Sequence, residues 1–71
     1  MEHFKEKLAE IFEVENISNK DILKDFDEWD SLTLLSIIAI VDSEFNIQLR
    51  ASDFDEIISI EDLISHIEKL K

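Results

Sequence analysis

Apolar residues recur along this chain with a helical period, in three blocks separated by two more polar connections. Phe4, Leu8, Ile11 and Phe12 fall at i, i+4, i+7 and i+8 and predict a first helix from Glu2 to Glu13. Lys5, Glu6, Lys7 and Glu10 take its polar side. A second helix is expected from Ser31 to Glu44 or Phe45. At about 100° per residue, Ile37, Ile38, Val41 and Phe45 lie within about 60° of Leu34 and form a core stripe. Leu32, Leu35 and Ala39 make another stripe centred about 130° away. A helix buried on one side has no need of it, so it is either covered by another element or left for a partner. Ile60, Leu63, Ile64, Ile67 and Leu70 predict a last helix after Ser59, with Ser59 and Asp62 arranged as a capping box. Lys69 and Lys71 stand at its negative end. Between the last two blocks, Asp53 to Ile57 reads as a short helical piece that Ser52 would cap.

Residues 14 to 30 form a long connection, with a turn of helix expected near Asp21 to Asp25. Connections this long usually have a function or are disordered, and Ile17, Ile22, Leu23 and Phe26 provide anchors that favour a packed one. The chain contains no Gly and no Pro, which disfavours tight hairpins, and no strict apolar/polar alternation persists. The expectation is an all-α fold of one domain, residues 1–71. It would be a small four-helix bundle, three main helices plus a short third, with a long loop after the first.

Composition narrows the function. With 71 residues, 45% of them hydrophobic, a modest single core is within reach. The absence of Cys removes disulfides, thiolate catalysis and Cys-ligated zinc. No apolar run approaches the roughly 20 residues that span a bilayer, and Met1 to Glu6 lacks the layout of a signal peptide. A soluble, cytoplasmic, monomeric chain is expected, with no membrane contact. Eighteen acidic residues against seven basic give a net charge of −11. Such a surface repels nucleic acid and attracts basic partner proteins.

Candidate catalytic and metal sites fail on spacing. Read as a calcium loop from Asp25, the sixth and twelfth positions hold Asp30 and Ser36 instead of Gly and Glu. His3 and His66 lack the spacing of a metal pair and read as surface histidines. No metal site is assigned. With two histidines, neither near Ser31 in sequence, a triad is not expected, and the chain is read as having no catalysis of its own.

The segment Trp29-Asp30-Ser31-Leu32 points elsewhere. An Asp-Ser-Leu after an acidic loop opens a helix that closes in Glu44-Phe45-Asn46-Ile47-Gln48-Leu49. Together with the flanking helices, this order resembles the acyl carrier protein family over essentially the whole chain. The resemblance implies that Ser31 is esterified with 4′-phosphopantetheine from coenzyme A, whose thiol carries acyl or aminoacyl cargo as a thioester. It implies that Asp30 helps position a phosphopantetheinyl transferase and its metal. It also makes the uncharged second helix a docking helix for loading and transferring enzymes with basic surfaces. Leu32, Leu35 and Ala39 are its apolar contacts, and Asp42 and Glu44 its steering charges. Position alone reads Ser31 as an N-cap; the match over the whole chain assigns it the arm.

Three positions depart from the family pattern. Glu28-Trp29 stand where a Gly is frequent, Ser36 and Ser43 replace acids on the docking helix, and Arg50 occupies a common Pro position. A carrier for a polysaccharide, secondary-metabolite or aminoacyl pathway suits these at least as well as one for fatty-acid synthesis. The reading from a different class is an unmodified acidic helical domain that binds a basic partner.

Overall fold

The computed structural model describes residues 2–71. Its elements are α1 (Glu2–Phe12), a first 3₁₀ turn (Leu23–Asp25), α2 (Ser31–Phe45), a second 3₁₀ turn (Ala51–Asp55) and α3 (Ile60–Leu70). The all-helical expectation holds, with one difference. The short third helix is a 3₁₀ turn that starts earlier than expected, so the bundle has three α-helices. The cap assigned to Ser52 is also displaced. Asp53 Oδ2 accepts the Arg50 N–H at 2.8 Å, so Arg50 is the cap residue and Ser52 is exposed. Asp53 sits three residues after Arg50, where its short carboxylate reaches back to a free N–H. No described helix is long and apolar enough to cross a membrane.

One core joins all three helices. Phe4, Leu8 and Phe12 of α1, Ile37 and Val41 of α2, and Ile60, Leu63 and Ile67 of α3 are buried in it. Leu23, Leu49, Phe54 and Ile57 come to it from the connections. The buried line of α2 is rotated from the expected one. Ile37 and Val41 are fully buried, whereas Leu34, Ile38 and Phe45 are only partly so and Ile40 joins them. α1 and the second 3₁₀ turn are the elements packed on α2, and periodicity in one helix cannot specify where they approach. Phe4 meets Phe45 edge-on, with ring centroids 5.5 Å apart and planes at 73°. Lys71 Nζ lies 5.0 Å from the Phe45 centroid on the same ring.

The long connection is pinned as expected, and by more than apolar anchors. Leu23 N–H donates to Ile58 C=O at 3.0 Å, Ile60 N–H to Asp21 C=O at 2.9 Å, and Glu61 N–H to Asn19 C=O at 3.0 Å. The first two make an antiparallel bridge between Ile22 and Ser59 at the start of α3. The Ser59–Asp62 capping box forms as the sequence indicates. Ser59 Oγ accepts the Asp62 N–H, and Asp62 Oδ2 accepts the N–H groups of Ser59 and Ile58, each at 3.1 Å. The bond from Ser59, then that from Ile58, holds the Asp62 carboxyl below its usual range. The stabilisation is therefore present above the unfolded pKa and is lost as pH falls through the folded one.

Helix ends must be made without glycine. α1 closes in a Schellman arrangement, with Glu13 N–H on Glu10 C=O at 3.2 Å and Val14 N–H on Ala9 C=O at 3.0 Å. This places Glu13 in the left-handed region at φ 56°. Asn46, at φ 57°, closes α2 with its N–H on Asp42 C=O at 2.9 Å; Asn tolerates that region better than Glu does. Glu13→Gly should therefore raise stability by about 1 kcal/mol, measured by urea denaturation. An unchanged or lowered midpoint would mean that the Glu13 side chain compensates for the strained backbone.

Candidate functional site

The start of α2 is built by residues 26 to 34. Trp29 is half-buried, with its ring 6.3 Å from Phe12 of α1 and 6.3 Å from Phe54 of the second 3₁₀ turn. Phe26 stacks on Phe12 at 4.2 Å, planes 7° apart. The pair Glu28-Trp29, a departure from the family pattern in sequence, thus contains an aromatic wedge. It joins the end of the long connection to two other parts of the core. Burial of aromatic surface makes this attachment firm.

Directly after the wedge the chain enters the helix. Asp30 is the N-cap: its Oδ1 accepts the Thr33 N–H at 2.9 Å, and Thr33 Oγ1 accepts the Asp30 N–H at 2.9 Å. The box uses Thr33 as the reciprocal acceptor, with Asp30 instead of a serine at the cap. The N-cap expectation for Ser31 is therefore corrected. Ser31 is the first helical residue, and its hydroxyl lies outside the capping box. A one-residue shift decides this, because either Asp or Ser is a good cap; the position of Thr33 three residues after Asp30 is the signal that could have found it.

This geometry suits a phosphate ester on Ser31. The side chain is exposed at the positive end of a four-turn helix. The N–H groups of Ser31 and Leu32 have no acceptor in the first turn, and such N–H groups favour an anion. Acidic neighbours work against one. Besides Asp30, the Glu28 carboxyl is raised above its usual range, first by a hydrogen bond with Glu13, then by the charge of Glu13 and more weakly by Asp30 and Asp27. A divalent ion brought with the incoming diphosphate would relieve this repulsion. Among the described residues, no cluster of three or more His, Asp or Glu side chains forms a metal site of the protein's own.

The remaining candidates divide between two faces of α2. Leu32 and Leu35 are 72% and 56% exposed, so the second stripe is uncovered. Ala39 and Asp42 are exposed on the same side, as are Ser36 and Ser43 nearby. Glu44 is not with them. It lies about 150° around the helix from the Leu32–Leu35–Ala39 line, and its Oε1 is 3.2 Å from His3 Nε2 of α1. His66, expected at the surface, is half-buried with Nε2 3.9 Å from Asp53 Oδ1.

Asp30→Ala should lower stability by about 0.5–2 kcal/mol, while Asp30→Asn, an equally good cap, should leave it nearly unchanged. Thermal melts of the two variants test this. Equal losses in both would show that the carboxylate charge, and not the cap, supports the helix.

Residues 2–67 match the family model for the phosphopantetheine attachment site. Searches of the curated proteins and of the solved structures find no match. The family match spans all three helices and both 3₁₀ turns apart from the last residues of α3. On that extent, this chain belongs to the phosphopantetheine attachment site family, the carrier domains that bear a covalently attached 4′-phosphopantetheine.

Proposed function

We propose that Ser31 is the residue to which the arm is attached, and that the chain carries an acyl or aminoacyl group between partner enzymes. The observation that supports this most is the position of Ser31. It is an exposed hydroxyl at the first turn of α2, next to a capping carboxylate and beside an uncovered apolar stripe. The arm supplies the terminal thiol that a chain without Cys lacks.

In the loading step, the Ser31 hydroxyl oxygen attacks the phosphorus of the coenzyme A diphosphate that bears pantetheine. The new Ser31–O–P bond forms as the P–O bond to 3′,5′-ADP breaks, and the hydroxyl proton passes to a base of the transferase. The first-turn N–H groups hold the phosphoryl oxygens. Asp30 uses Oδ1 for the cap, which leaves Oδ2 to face the transferase and its metal. The chain contributes position and charge, and the transferase contributes catalysis.

Recognition then falls to α2. Leu32, Leu35 and Ala39 form the apolar contact, and Asp42 beside them attracts a basic surface in a salt-dependent way. Glu44 reaches α1 through His3, so it steers from the far side of the helix at most. The partners are a phosphopantetheinyl transferase and the enzymes that load and remove the cargo, in the cytoplasm. The departures at Ser36, Ser43 and Arg50 favour a specialised pathway over bulk fatty-acid synthesis.

Incubation with coenzyme A and a broad-specificity transferase should add one phosphopantetheine to the intact mass, with peptide mapping placing it on Ser31. Ser31→Ala should keep the wild-type melt, since Asp30 holds the cap, and lose all loading. Modification that persists in Ser31→Ala would move the site; a wild-type chain refused by several competent transferases would favour the unmodified interaction domain. For recognition, Leu35→Glu should retain the helical signal and slow loading about tenfold or more. Loss of the helical signal would make the second stripe part of the core.

A further inference from the structure

Two successive isoleucines lead into α3, and the fold treats them differently. Ile57 is buried in the core, whereas Ile58 is 59% exposed. The backbone of Ile58 is nevertheless fixed on both sides. Its N–H donates to Asp62 Oδ2 at 3.1 Å, and its C=O accepts the Leu23 N–H at 3.0 Å. Large apolar side chains standing singly in water are ordinary. This one is held in place by two hydrogen bonds, so it meets a partner with little backbone freedom left to lose.

From Ile58 a series of backbone hydrogen bonds leads to the start of α2. Leu23 N–H donates to Ile58 C=O, Phe26 N–H to Leu23 C=O at 3.3 Å, and Trp29 N–H to Phe26 C=O at 3.1 Å. Asp30 and Ser31 follow directly. Phe12, the last residue of α1, meets both Phe26 and Trp29. The end of α1 and the starts of α2 and α3 therefore share one end of the molecule, and Ile58 stands on it with Ser31. The charge there is one-sided. Residues 53–62 hold five acids, Asp53, Asp55, Glu56, Glu61 and Asp62, and residues 25–30 hold four more. Neither segment contains Lys or Arg; Lys24 and Arg50 lie just outside them in sequence.

We propose that Ile58 is a second apolar anchor for the phosphopantetheinyl transferase, off the docking helix, where it enters an apolar pocket whose basic rim meets Asp55, Glu56 and Glu61. This rests on Ser31 bearing the arm. Transfer to Ser31 brings the enzyme's reacting centre within bonding distance of the hydroxyl itself, so the transferase covers this end of the molecule. Enzymes that act on the cargo meet the far end of the arm instead. A standard interface takes about 800 Å² from each partner, about one-sixth of this chain's 4763 Å². Leu32, Leu35 and Ala39 cannot supply that area, so the contact extends beyond α2. Asp53 and Asp62 are engaged with backbone N–H groups, whereas Asp55, Glu56 and Glu61 are exposed around the isoleucine in sequence. An apolar anchor within an acidic rim combines a desolvated centre with salt-sensitive attraction to a basic surface.

The test measures loading by the broad-specificity transferase over a range of carrier concentrations, with intact mass as the readout. Ile58→Thr keeps a β-branched side chain suited to extended backbone and removes apolar surface. It should leave the melt unchanged and raise KM for the carrier about fivefold or more, with kcat unchanged. Leu70→Gln removes another exposed leucine, at the opposite end of α3, and should leave KM as it is. Glu56→Gln combined with Glu61→Gln should raise KM at low salt and change it little at high salt. An unchanged KM in Ile58→Thr, or an equal rise in Leu70→Gln, would overturn the anchor. A fall in kcat alone would assign Ile58 to positioning Ser31 through the bonded backbone and overturn it as well. A wild-type chain that takes no phosphopantetheine overturns the reading of Ser31 and this inference with it. A loaded wild type with an indifferent Ile58→Thr overturns the inference alone.

Discussion

Hydrogen bonds from backbone N–H groups to aspartate carboxylates hold the connections of this chain in place. Asp21 accepts the Ser18 N–H at 2.8 Å, Asp30 the Thr33 N–H at 2.9 Å, Asp53 the Arg50 N–H at 2.8 Å, and Asp62 those of Ser59 and Ile58 at 3.1 Å. Each aspartate satisfies a donor that a helix or turn leaves free. In a chain with neither Gly nor Pro, short acidic side chains take over the work of starting helices and fixing turns. Part of the strong negative charge is therefore structural. The charge-assisted bonds at Asp62 are visible in its lowered pKa.

The start of α2 shows how this constraint serves function. Asp30 fixes the first turn, and the Trp29 ring between Phe12 and Phe54 fixes where that turn sits in the molecule. Neither attachment uses the Ser31 side chain, so the hydroxyl stays available while its backbone is held from both sides. A serine that served as the cap itself would have its oxygen committed to the helix. The division of labour between neighbouring residues makes modification compatible with a firm helix start.

α2 then has two apolar faces with different fates. Ile37 and Val41 are fully buried, while Leu32 and Leu35 remain in water. No formal charge appears on the helix before Asp42, which lowers the desolvation cost of covering its exposed face. The acids lie at its two ends and on neighbouring elements, where they steer a partner without having to be buried by it.

Periodicity and capping residues by themselves determined the three α-helices, the Ser59–Asp62 box, the packed nature of the long connection and the place of Ser31 at a helix start. These are local properties: side chains three or four residues apart share a face, and a carboxylate three residues on reaches a free N–H. The family resemblance, carried by Asp30-Ser31-Leu32 and the order of elements, was equally legible. Other features required the whole fold. The core line of α2 turned toward Ile37 through the way the other elements pack on it. The start of the second 3₁₀ turn at Ala51 was instead local, since Asp53, three residues after Arg50, and not Ser52, reached the free N–H. Trp29 gained its role as a wedge, and Glu44 its bond to His3, only when segments distant in sequence met. That Leu32 and Leu35 stayed uncovered was likewise a tertiary outcome, since a single helix carries no record of which of its apolar faces the others will bury.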